Sequence, residues 1–124
     1  MNNNALKKKL SDRLLWYFGL SESPVKKVLY IDEEEWWYIE RWIDWGLKNY
    51  LSRLAKTHPD LTRHDLHICC LLRLKLSRSY IAALMGVSTS SVSTCKFRIK
   101  KKIIIQNPAI GFEDVTLESY LFNF

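Results

Sequence analysis

Five cations fall within seven residues of this 124-residue chain: Lys96, Arg98, Lys100, Lys101 and Lys102. A run of hydroxyls precedes them: Ser88, Thr89, Ser90, Ser91, Ser93 and Thr94. Hydroxyls donate and accept hydrogen bonds, whereas Lys and Arg carry a fixed positive charge. On one helix, such groups suit a polyanion whose base edges lie between its phosphates, which is duplex DNA. Ser90, Ser91, Ser93, Thr94 and Lys96 are the candidates for base edges and nearby phosphates, and Arg98, Lys100 and Lys101 for phosphates. Ser88 and Thr89 complete this DNA-binding set at the helix start. A second group, Ser77, Arg78 and Ser79, could hold a phosphate through side chains and backbone N–H groups at another helix start. Cations at a helix end are also favoured by the helix dipole, so charge alone does not decide the matter.

The elements that must position these groups are two helices and a turn. Ile81, Ala82, Leu84 and Met85 recur at helical spacing. Gly86 can adopt a left-handed backbone and close that helix. Val87 is expected to be the buried residue of the turn, and Ser88 the N-cap of the next helix. That helix, about residues 89–102, is expected to pack through Val92, Phe97 and Ile99, with Val87 beside them, and to stop before Pro108. A basic second helix after a short Gly-containing turn is the pattern of a helix-turn-helix DNA reader.

Charge is distributed accordingly. The formal net charge is +6. Residues 61–106 hold nine Lys/Arg and one Asp, whereas residues 31–50 hold six acids and two bases. The cations thus gather on the candidate reader, as a polyanionic partner requires. Four Gly and three Pro leave long stretches without breakers, which favours an all-α fold. Cys69, Cys70 and Cys95 give no disulfide framework and fit a reducing compartment. With no signal peptide and no bilayer-spanning apolar run visible, the expectation is a cytoplasmic protein without a membrane partner.

Ahead of the reader, Ala5 to Phe18 reads as an amphipathic helix, and Pro24 to Tyr30 as a short one. Asp32 and Glu35 have capping-box spacing. The helix they start is expected to run to about Lys56, with Trp36, Ile39, Ile43, Leu47, Tyr50 and Leu54 stepping along one face. Gly46 inside it would mark a close packing point. Pro59 is a break, and Thr62 caps an apolar helix containing Leu66, Ile68, Cys69, Cys70, Leu71, Leu72 and Leu74. Thr116 to Phe122 is a last short helix. His64 and His67 lack zinc-type partners and are expected to face solvent beside a buried Cys. The five Trp are expected in the core, although exposed ones at 36, 37, 42 or 45 would mark a partner surface. No phosphate loop or nucleophile motif points to catalysis. No enzyme activity, metal or other cofactor is expected.

From Leu61 to Ile103 the chain resembles the LuxR-type helix-turn-helix of bacterial transcription regulators. Leu61-Thr62, Ile68, Leu71, Ser77, Ile81-Ala82, Met85, Val87-Ser88, Val92, Ile99, Lys102 and Ile103 fall in register without gaps. Cys69, Leu71, Arg73, Leu74, Leu76 and Ser77 are similar to a Bacteroidetes-like variant, and the sigma-factor region-4 reader is a structural relative. The chain departs from the pattern at Tyr80 (usually Glu), Lys75 (usually Gly or Asn), Ser93 (often Lys) and Cys95 (usually His). An acid–base pair that often steadies the recognition helix in such proteins is therefore not expected.

The resulting expectation is a helical bundle with a C-terminal, wing-less tri- or tetrahelical reader preceded by amphipathic helices. Residues 1–57 would form a helical dimerisation segment, 58–106 the DNA-binding domain and 107–124 a C-terminal extension. The expected function is sequence-specific transcription regulation as a homodimer on double-stranded DNA. The alternative is a protein-interaction module of the same fold, with a sensor or RNA polymerase as partner and no direct DNA contact.

Overall fold

The computed structural model describes residues 30–109 and 115–124. The expected helices at 5–18 and 24–29 lie outside the described residues, and Tyr30 itself is not helical. The described residues form six helices: α1 Glu33–Gly46, α2 Tyr50–Thr57, α3 Arg63–Arg73, α4 Arg78–Met85, α5 Thr89–Gln106 and α6 Leu117–Asn123. The fold is all-α, with no strand among the described residues.

Local chemistry sets most of the helix starts. Asp32 and Glu35 form a reciprocal capping box at α1, and Thr62 and Asp65 form another at α3. Ser77, Ser88 and Thr116 each accept a backbone N–H from the first turn of α4, α5 and α6. Gly86 closes α4 at φ +68. It also sits under the Tyr30 ring: a Cβ there would lie 2.7 Å from Tyr30 Cδ2. Beside it the Ile31 N–H donates to the Leu84 carbonyl at 2.9 Å, tying the segment before α1 to the turn.

The single helix expected from 32 to about 56 is two helices. Lys48 and Asn49 take positive φ, turning the chain between α1 and α2. Asn49 makes no side-chain cap. Asp44, from the last turns of α1, caps α2 instead, accepting the Leu51 N–H at 2.7 Å and the Ser52 hydroxyl. The Arg53 guanidinium then bonds the Lys48 carbonyl at 2.8 Å. Gly46 is not a packing point, since nothing lies within 4 Å of where its Cβ would be.

One apolar core joins every described helix. Ile31, Trp36, Ile39 and Ile43 meet Tyr50 and Leu54, the wholly buried face of α3, Ile81 and Leu84, Val92, Ile99 and Ile103, and Leu117 and Leu121. The run Ile68-Cys69-Cys70-Leu71-Leu72 is buried throughout, so α3 is the central rod. Burial pushes the Cys69 and Cys70 thiols far above their ordinary range, aided by nearby carboxylates. They are inert packing groups. Of the four Trp in the described residues, Trp36 is buried, whereas Trp37 and Trp45 are exposed. Helix α6 docks on the same core. His58 Nε2 and the Tyr120 hydroxyl are 2.6 Å apart, and Arg53 reaches the Phe124 carbonyl at 3.1 Å. No described helix is long and apolar enough to cross a membrane.

Candidate nucleic-acid interface

Helix α5 is divided lengthwise by its own sequence. Val92, Cys95, Ile99 and Ile103 are buried. At 3.6 residues per turn the opposite stripe carries Ser90, Thr94, Phe97 and Lys101, followed by Ile104 and Ile105. All six are exposed. The remaining cations lie on the two flanks, where neighbouring helices supply acids.

Arg98 and Lys102 share one flank with Ser91 and face the start of α3. Asp65, whose side chain has no exposed surface, accepts from Lys102 Nζ at 2.6 Å and from Arg98 at 3.3 Å. It also closes the α3 capping box by accepting the Thr62 N–H at 3.0 Å. Burial pushes the Asp65 carboxyl up, but Lys102, Thr62 and Arg98 together hold it below its ordinary value. An acid–base clamp on this helix therefore exists, built from α3 rather than from the position of Tyr80. Arg98, expected at a phosphate, is held here, although its side chain remains about half exposed (47%).

Lys96 and Lys100 lie on the other flank with Ser93. Lys96 is ion-paired to Glu118 of α6. Burial raises the Glu118 carboxyl, yet the Lys96 ion pair, with the charge of Lys100, brings it below the ordinary range. Arg78, at the start of α4, donates to the Ser93 hydroxyl at 3.0 Å, bracing the second half of the motif against the first. Ser77 and Ser79 are exposed beside it.

The hydroxyls at the start of α5 form a local mesh. Ser88 Oγ donates to Ser91 Oγ at 2.9 Å and lies 3.0 Å from Ser90 Oγ. Thr89 is exposed. The Thr94 hydroxyl donates to the Ser90 carbonyl at 3.1 Å, so its proton stays within the helix.

The sites expected from sequence thus sort into three groups. Ser88, Thr89, Ser90, Ser91, Thr94 and Lys101 lie open on α5, and Ser77, Arg78 and Ser79 open α4. Ser93 and Lys100 are half-buried. Lys96 and Arg98 are engaged by carboxylates. Phe97, expected to pack the motif, is instead 63% exposed on the outward stripe, with the Lys101 ammonium 5.2 Å from its ring centroid. Val87 is only partly buried against the core.

Two histidine expectations also change. His67 is buried, not solvent-facing: it stacks parallel to Trp36 at 3.7 Å, and its Nε2 lies 3.1 Å from Glu40. His64 is half-buried. Among the described residues no cluster of His, Cys, Asp or Glu could hold a metal ion. No known protein family, curated protein or solved structure matches this chain.

Proposed function

We propose that this protein binds duplex DNA through the outward face of α5, as a sequence-specific transcription regulator. The observation that supports the reading best is the uncovered stripe of Ser90, Thr94, Phe97 and Lys101 on a helix whose inner edge is fixed in the core. A recognition helix must present one edge without obstruction while packing holds its orientation. In this reading the N-terminal half of α5 enters the major groove. Lys101 holds a phosphate, and Arg78 with the exposed start of α4 holds another. Lys96 and Arg98 reach phosphates by exchanging carboxylate partners for the duplex, which both can do because each retains exposed surface.

The decisive experiment is selection of duplexes from a random pool, followed by a gel shift at rising salt. Specific binding that weakens steeply with salt is expected, with about one unit of log–log slope per phosphate neutralised. K101A together with R78A should flatten that slope and weaken binding to all sequences alike. Absence of any selected sequence, with salt-independent or no binding, would reject the reading. Dimerisation, and transcription regulation itself, belong to the same proposal. A twofold-symmetric selected site with half-sites about one helical turn apart is the expected signature of a dimer.

A further inference from the structure

Phe97 is the largest apolar side chain on the stripe that the proposed DNA reading turns toward the groove. A Phe left in water forgoes the free energy that burying its ring would release, so a contact that covers it would be favourable. The groups around it say which kind. Ser90, Ser93, Thr94 and Lys101 are polar or charged, Lys101 lies over the ring itself, and the next exposed apolar residues of the stripe, Ile104 and Ile105, stand about two helical turns further on. A face of that composition suits a polyanion with isolated apolar spots better than a protein partner with a continuous apolar surface.

In the major groove the isolated apolar spot is the 5-methyl group of thymine. Thr94 reinforces the point. Its hydroxyl proton is used by the Ser90 carbonyl, so it offers the stripe a methyl group rather than a free donor. Resting on the DNA reading above, we infer that Phe97 determines specificity by contacting the 5-methyl group of a thymine, beside Thr94. Lys101 would hold the adjacent phosphate. The hydroxyls at the start of α5 discriminate weakly, because each can both donate and accept. An apolar contact in the third turn therefore supplies a sequence preference that they do not.

The test uses the full chain and its selected duplex. Each thymine is replaced in turn by deoxyuridine, which lacks only the methyl group. For the wild type, one or two replacements should weaken binding about fourfold, the effect of one buried methyl. F97A should bind thymine and deoxyuridine duplexes equally, with its salt slope unchanged, and F97L should keep part of the discrimination. Circular dichroism checks that the variants remain folded. A wild type indifferent to deoxyuridine at every position would overturn the inference while leaving DNA binding intact. So would F97A retaining the discrimination, or a selected site without thymine. F97A converting a dimer to a monomer in ultracentrifugation would place Phe97 in a protein interface and overturn it too. Failure of the wild type to bind any duplex would reject the DNA reading and this inference with it.

Discussion

Asp65 and His67 sit two residues apart on α3, and both make the fold less stable as pH falls, each in its own range. Burial lowers the His67 pKa below its ordinary 6.5, against the partial support of the Glu40 hydrogen bond. Burial lowers His58 likewise. The unfolded chain takes up these protons near pH 6.5, whereas the folded chain resists them. Stability is then complete above about pH 6.5 and falls as pH drops through the depressed folded values. Urea midpoints measured between pH 7.5 and 5 should decline, and H67Q should reduce the decline; a flat profile would refute this. Asp65 acts only at lower pH, because its folded pKa lies below the ordinary 3.8. D65A removes a cap and two charge-assisted bonds, so it should destabilise by about 2 kcal/mol in urea denaturation. Neither role is visible in sequence. The partners of Asp65 on α5 are 33 and 37 residues away, and Glu40 is 27 from His67. Local chemistry identified the Thr62 cap but not the Asp65 carboxylate's bonds to a second helix.

Most helix starts were readable because caps are local: Asp32, Thr62 and Ser88 cap where the sequence placed them, and Ser77 and Thr116 stand at expected helix starts, where each proves to be the cap. The corner at Lys48 and Asn49 was not. Its residues carry no Pro or Gly signal at the point of reversal, and its cap comes from Asp44 through tertiary geometry. Phe97 was misplaced for a related reason. It is two residues from buried Ile99, and hydrophobicity alone does not tell an inner from an outer apolar position on a mixed helix. Two outcomes test the elements directly. G86A introduces a Cβ at positive φ and against Tyr30; it should lower stability by about 1–2 kcal/mol, measured by thermal or urea unfolding. E118Q releases Lys96 from α6. If α5 binds DNA, E118Q should tighten binding at low salt two- to fivefold and steepen the salt slope by up to about one unit.

The helices on either side of residue 58 share one core, so the boundary expected there crosses packed side chains. Leu54 and Tyr50 on one side and Ile68 and Cys69 on the other belong to the same cluster, and the Tyr50 hydroxyl donates to the Cys69 carbonyl at 3.3 Å. A fragment of residues 58–106 loses Ile31, Trp36, Ile39 and Ile43 as well as Leu117 and Leu121. It should lack the dispersed amide NMR spectrum of the full chain. The full chain should unfold in one cooperative step, with tryptophan fluorescence and circular dichroism superimposing. Separated transitions would show that residues 58–106 are an independent unit. Asp65, finally, begins one helix and steers another. If α5 binds DNA, a mutational screen for lost binding would return Asp65 among the contacting positions, although its side chain offers no surface to any ligand. Only a parallel screen for folded protein would separate the anchor from the fingertips.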